Sequence, residues 1–332
     1  MKSGAMDVRL RAAYAILFTA LVALAGFAVL SGSVRITATQ FVGILDGSER
    51  GPLAEIVLDL RLPRLIMALL IGIMLALAGT VSQAVFHNPL ADPYIIGVSA
   101  GAAAGAALAF LLKLPDFYYG IFGFALALLT SLLVFRISGR RGQTDTASLL
   151  ITGVAIAAFF AALTSFAMYA AGEDSYRVMV WMMGYLGYAT WLRIGILVVP
   201  LVLSAVYFLY HRHDIDALLL GDAEAFSLGL APGRFKRRLL IIVCGITAFS
   251  VAFCGLIGFV GLIVPHAARL CVGNVHGRLL PFAAFFGGVF LLFADTIART
   301  ALAPVETPVG IVTAFFGAPF FLFLAVRRRH HC

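Results

Sequence analysis

Apolar residues fall along this chain in long, nearly unbroken blocks, and polar residues collect between them. A helix needs roughly 20 apolar residues to cross a ~30 Å hydrocarbon core. Ten blocks approach that length: 13–30, 65–85, 96–112, 118–135, 147–171, 192–210, 239–254, 256–272, 280–297 and 308–326. Glycine recurs inside them, which suits close packing of one helix on another. The pattern predicts an all-α polytopic membrane protein of ten transmembrane helices, a single transmembrane domain over residues 1–332. Before the second block, the stretch "AEIVLDLRLPR" (54–64) spaces Ile56, Val57, Leu60 and Leu62 for a short surface helix. Pro63 is tolerated where a new helix starts.

Composition agrees with that pattern. Hydrophobic residues make up 62% of the chain, charged residues only 12%, and the mean hydropathy is +1.03. Soluble domains carry roughly a quarter charged residues, so lipid must be part of the solvent here. The net charge of +8 is scattered at block ends, as topology signals are. It is not the clustered basic face of a nucleic-acid binder. With both termini in the cytoplasm, 16 of the 24 Lys and Arg fall on the inner side, which sets the expected orientation. That orientation makes 31–64 external and 211–238 the largest cytoplasmic loop. The first block lacks an A-x-A-like cleavage site and reads as a retained span. The four cysteines show no metal-ligand spacing and read as small apolar fillers.

The stretch "NPLADPYIIGVSAGAAAG" (88–105) contains G-x-S-x-G around Ser99. A nucleophile elbow would need a strand, a sharp turn and a helix, with a histidine and an acid nearby; the flanks here are apolar and helical. Gly97, Gly101 and Gly105 instead form two overlapping G-x-x-x-G units, a bare helix face for a neighbour. Pro89 and Pro93 block helix continuation, and Asn88 and Asp92 supply local hydrogen bonds. A stiff, specified turn is expected there. Intramembrane polar residues are functional candidates. They include Gln83, His266, and Asp295 with Arg299 at i, i+4 spacing; Glu306 lies in the turn "APVETPVG". No G-x-x-x-x-G-K-[ST] loop occurs, so the chain has no such site for ATP hydrolysis. No catalytic residue, cofactor or metal site is expected. A secondary transporter, which needs buried ion-binding carboxylates, is the rival reading from another class.

The motifs "RLPR" (61–64), "LALAGTVSQAVFHNPLADPYIIGVSAGA" (75–102), "GLIGFVGLIVPHAARL" (255–270), "ADTIAR" (294–299) and "PVETPVGIVTAFFGAPFF" (304–321) together resemble the FecCD-type, BtuC-like permeases. These are membrane subunits of type II ABC importers for iron chelates and vitamin B12. The resemblance implies an inner-membrane homodimer, two cytoplasmic ATPase subunits and a periplasmic substrate-binding protein. It also implies an inverted repeat of spans two to five and seven to ten. A haem or siderophore chelate is the expected substrate, with a corrinoid as the alternative. In the family, a cytoplasmic gate lies at positions matching Asn88, Pro89 and Leu90, and at Thr146 and Ala147. The ATPase-coupling segment matches Leu218, Leu219, Leu220, Gly221 and Asp222, continuing through Ala225, Phe226, Leu228 and Gly229. Arginines at the positions of Arg61, Arg64 and Arg299 dock the binding protein.

Overall fold

The computed structural model describes residues 2–32, 34–140, 143–144 and 146–329, with side chains over 10–32, 34–138, 147–172 and 175–322. Ten long helices carry the bundle, one for each apolar block. They are α1 (Lys2–Leu30), α2 (Leu62–Val85), α3 (Val98–Leu111), α4 (Phe117–Ser138), α5 (Thr146–Ala171), α6 (Trp191–Tyr210), α7 (Pro232–Cys254), α8 (Val260–Val272), α9 (His276–Thr300) and α10 (Val309–Arg329). A two-residue hairpin, Gly139–Arg140 with Gln143–Thr144, joins α4 to α5.

α2 is the axis of the molecule. Helices α9, α7, α8 and α6 pack around it, and 18 of its 24 residues are buried. Contacts this close need bare backbone. A Cβ added at Gly79 would lie 1.8 Å from the Gly261 carbonyl oxygen on α8, and one at Gly72 would lie 2.2 Å from that of Gly287 on α9. A second glycine seam joins α3 to α4. There a Cβ on Gly101 would meet Thr130 Oγ1 at 2.2 Å, and one on Gly105 the Phe122 oxygen at 2.2 Å. Gly97 is not part of the α3 helix itself: it caps α3 with φ of 83° and lies against Thr130. The outward faces of α1 and α5 are apolar and exposed, as at Phe18, Ile151 and Phe159, which suits contact with lipid.

Two apolar blocks are shorter as helices than the sequence predicts. α3 has 14 residues and α8 has 13, about 20 Å each at 1.5 Å per residue, too short to cross a hydrocarbon core alone. The missing length is irregular backbone: Ile96 lies in a turn, and residues 256–259 are extended or bent rather than helical. Phe259 takes φ of 69° and Gly255 φ of 72°, conformations a helix interior excludes. Hydrogen bonds from other segments hold this backbone and the turns beside it. The Tyr185 amide donates to the Cys254 carbonyl at 2.8 Å, and Val309 and Gly310 donate to Gly184 and Met183 at 3.0 Å. The Tyr94 hydroxyl reaches the Ile257 carbonyl at 3.3 Å.

The glycine contacts predict an asymmetry between two alanine substitutions. Gly79→Ala should lower stability by about 1–3 kcal/mol through overpacking against backbone. Gly195→Ala on α6, whose Cβ would meet nothing within 4 Å, should be neutral or slightly stabilising. Thermal unfolding of the two variants in detergent compares them directly.

Candidate functional site

Polar side chains gather at the two ends of α2. At its start, Arg64 joins three segments distant in sequence. Its Nε donates to both Asp295 carboxylate oxygens at 3.1 Å, its Nη2 to Asp295 Oδ1 at 2.9 Å and its Nη1 to Glu306 Oε2 at 2.7 Å. The Tyr185 hydroxyl donates to the same Glu306 oxygen at 3.1 Å, and the Arg64 guanidinium lies 5.3 Å from the centre of the Tyr185 ring. Arg299, one turn beyond Asp295, holds Nε 3.4 Å from Asp295 Oδ2 and donates through Nη2 to the Ala28 carbonyl at 3.0 Å. Arg61 donates to the carbonyls of Val29 and Val34.

These arginines do not stand free at the surface as the sequence reading expects. Arg61, Arg64 and Arg299 are 7, 7 and 8% exposed, and Asp295 is 1% exposed. A carboxylate so deep requires a cation and further hydrogen bonds, and Arg64 and Arg299 supply them. Arg61 and Arg64 also take different partners, Arg61 the carbonyls of Val29 and Val34 and Arg64 the carboxylates of Asp295 and Glu306. The i, i+4 pairing of Asp295 with Arg299 is present, but Arg64, 231 residues away in sequence, makes the tighter bond.

At the far end of α2, the Asn88–Pro89–Leu90 turn is held by its own side chains. Asn88 Oδ1 accepts the Leu90 amide at 2.9 Å, and Asp92 Oδ1 accepts the Tyr94 amide at 2.8 Å. Gln83 ties this end of α2 to α8, donating to the Leu262 carbonyl at 3.2 Å and accepting from Arg269. His87 adopts φ of 49°, and its Nε2 lies 2.6 Å from the Leu218 carbonyl oxygen. Ala147 is exposed in the first turn of α5; the side chain of Thr146 lies outside the described residues.

Leu218 belongs to the segment between α6 and α7, which folds as two short helices, Arg212–Leu218 and Asp222–Ser227. Gly221 and Gly229 separate and end them at φ of 118° and 89°. The family resemblance groups the leucines and Phe226 in one coupling segment, but the structure divides them. Leu218 and Ala225 are fully buried against the bundle, whereas Leu219, Leu220, Phe226 and Leu228 are 41 to 72% exposed. Ion pairs pin the segment. Asp222 Oδ1 lies 2.6 Å from Lys236 Nζ, and Asp216 Oδ1 lies 2.6 Å from His276 Nδ1 and accepts the His276 amide at 2.9 Å. Burial pushes the Asp216 carboxyl up, but these bonds outweigh it and hold it below the usual aspartate value. The anchorage is therefore complete at neutral pH and weakens as pH falls through that lowered value.

The sequence model of the FecCD transport family matches residues 17–327. The chain belongs to the FecCD transport family. It is 43% identical over 272 residues to the cobalamin import system permease protein BtuC of Halobacterium salinarum, covering 81% of this chain and 73% of that one. It is 41% identical over 287 residues to the vitamin B12 import system permease protein BtuC of Citrobacter koseri, covering 85% of each. An ABC transporter assigned to the metal-chelate type, solved in an inward-facing conformation, superposes with a TM-score of 0.84 at 30% identity, over 96% of this chain and 99% of that one. The chain is thus a multi-pass membrane permease of the FecCD and BtuC type, a transport subunit of an ABC importer rather than an enzyme.

The rival chemistries lack their geometry. Ser99 is the second residue of α3, and the residues before it form turns, not a strand. The His266 ring packs edge-on against Phe320 at 5.9 Å. Among the described residues, no three His, Cys, Asp or Glu side chains gather as metal ligands would. Asp295, the carboxylate a secondary transporter would titrate, is bonded to two arginines. Sequence reasoning missed the Arg64–Asp295–Glu306 junction, the His87–Leu218 bond and the Asp216–His276 pair. Each residue was visible, but the partners lie 60 to 242 residues apart.

Removing one member of the buried junction should therefore be severe. Arg64→Gln leaves Asp295 without its main cation and should cost about 3–5 kcal/mol. Arg64→Gln with Asp295→Asn should recover part of that loss. Thermal melts of the two single variants and the double variant, analysed as a cycle, measure the coupling.

Proposed function

We propose that this permease pairs with a second copy of itself and imports an iron chelate across the bacterial inner membrane by alternating access. A periplasmic binding protein delivers the chelate, and a cytoplasmic dimer of ATP-binding cassette subunits drives the cycle. Both termini lie in the cytoplasm, which puts the Asn88 turn and the 211–231 segment inside and the Arg64 junction outside. The observation that carries this reading is the His87–Leu218 bond. It links the turn proposed as the gate to the segment whose exposed leucines and Phe226 would enter an apolar groove of the ATPase. Displacement of that segment would pull on the end of α2 through one hydrogen bond and through buried Leu218.

The outer junction supports docking of an acidic partner in a modified form. Arg64 and Arg299 pair with the carboxylates of Asp295 and Glu306 while Arg61 beside them bonds only backbone carbonyls, leaving one positive charge in excess. Glu306, 35% exposed at its side chain, sits at the edge where a partner would arrive. A carboxylate from the binding protein would balance the cluster without any arginine having to stand free. A corrinoid substrate is the second reading, favoured by the vitamin B12 relatives named above.

Reconstitution with the cognate ATPase and binding protein tests the assignment: ATP-driven uptake of a ferric chelate, and not of cyanocobalamin, is expected. Leu219→Asp or Phe226→Asp should abolish ATPase pull-down and uptake without lowering the melting temperature, because both side chains are exposed and a buried, unpaired charge would have to enter the docking groove. Pull-down at wild-type yield by both variants would reject the coupling role. Cysteines replacing Asn88 or Thr146 should cross-link between permease copies in at least one nucleotide state; failure in every state would reject the gate.

A further inference from the structure

The start of α7 carries a local excess of positive charge. Arg234, Arg237 and Arg238 are exposed, and among the described residues no carboxylate lies within ion-pair distance of any of them. The acids of the preceding segment are engaged elsewhere: Asp214 with His211, Asp216 with His276 and Asp222 with Lys236, each at 2.6 Å. Lys236 itself is 5% exposed and takes the opposite side of the helix. Arg234 and Arg238 are one turn apart, with Arg237 beside them, so the three guanidinium groups share one face. The N-terminal end of α7 adds its own partial positive charge.

Ring contacts fix the depth of this face. The Phe235 ring lies 5.4 Å from the His211 ring, which lies 5.0 Å from that of Tyr210. Tyr210 is 81% exposed at the end of α6, and exposed tyrosines at span ends mark the membrane–water boundary. The arginines that flank Phe235 therefore stand at headgroup level. Along the same face α7 continues to Ile241, 42% exposed, and to Gly245, where an added Cβ would meet nothing within 4 Å. Beside it α6, which packs on α7, exposes Leu203 and Val206. Three cations thus pass directly into an apolar, lipid-facing surface. The apolar residues suited to an ATPase groove, Leu219 and Phe226, lie on the segment before α7 rather than on this face.

We propose that this face binds an anionic phospholipid, its phosphate held by Arg234, Arg237 and Arg238 and an acyl chain lying along Ile241 and Gly245. Guanidinium forks take phosphate oxygens bidentately. Each basic residue near an anionic bilayer surface strengthens attraction about fivefold, whereas a zwitterionic headgroup brings its own cation and gains little. The orientation proposed above puts the site in the inner leaflet; the binding itself depends neither on that orientation nor on the importer reading.

A reporter beside the site tests this in the full-length permease. Ile241→Cys is labelled with bimane in a chain carrying Cys271→Ser and Cys332→Ser; Cys244 and Cys254 are buried. In phosphatidylcholine nanodiscs, brominated phosphatidylglycerol should quench the bimane at a mole fraction about tenfold lower than brominated phosphatidylcholine does. R234Q/R237Q/R238Q should bring the two lipids together while brominated phosphatidylcholine still quenches, which shows that position 241 still faces lipid. R234K/R237K/R238K should retain the preference, and excess inorganic phosphate should leave it unchanged. Should the triple glutamine variant not fold, Arg238→Gln alone should lower the preference about fivefold. Equal quenching by both lipids in the parent, or a preference that survives R234Q/R237Q/R238Q, overturns the site. Loss of the preference to inorganic phosphate shows a free-anion site and overturns the lipid. Loss of ATPase pull-down with the lipid preference intact assigns the arginines to the ATPase and overturns the proposal. The nanodiscs carry the same lipids in both leaflets, so a wrong orientation leaves the quenching record intact and shows only in sided labelling of cells.

Discussion

A peptide group at membrane depth has no water to bond, so it must find a partner inside the protein. For most of this chain a helix answers that requirement locally. It cannot do so around Ile96, at residues 255–259, or in the 183–186 and 306–308 stretches, where the backbone leaves helical geometry. There the segments satisfy one another: Tyr185 bonds Cys254, Val309 bonds Gly184, and Gly310 bonds Met183. The rest of the arrangement follows from this mutual dependence. The half-length α3 and α8 persist because longer helices shield their irregular lead-ins, and their approach to α2 and α4 is set by glycines that admit backbone against backbone.

The same constraint explains where charge sits. An aspartate 1% exposed on α9 is tolerable only because α2 delivers Arg64 to it and Arg299 follows one turn later. Glu306 and Tyr185 extend that bonding into the very turns that close the irregular backbone. The junction therefore locks the start of α2 to α9 and to the loop before α10. At the opposite end Gln83 and His87 lock α2 to α8 and to the segment between α6 and α7. Between those ends α2 spans about 36 Å at 1.5 Å per residue, tightly packed on several sides. Close-packed interiors shift between discrete arrangements rather than bend smoothly. A helix so held is suited to carry movement at one end of a transporter to the other as a unit.

The segment between α6 and α7 shows how burial separates roles that composition merges. Leu218 and Leu219 are neighbours of one type, yet one fills the bundle and the other faces outward. Asp216 is not part of the exposed apolar face; it anchors the segment to the start of α9 through His276.

The ten apolar blocks were legible because hydropathy over 18 or more residues reports the solvent around a helix directly, and lipid leaves little ambiguity. Pro89, Pro93, Gly221 and Gly229 marked turns for equally local reasons: a ring or a missing Cβ restricts or frees its own backbone. The family motifs extended that reading to partners and to transport. Tertiary structure alone decided that Arg64 turns inward to Asp295 rather than outward. It alone set Asp216 against His276 and His87 against Leu218. These are contacts across 60 or more residues, determined by how helices cross and by which glycines let them approach, and periodicity along the chain carries no record of which faces meet.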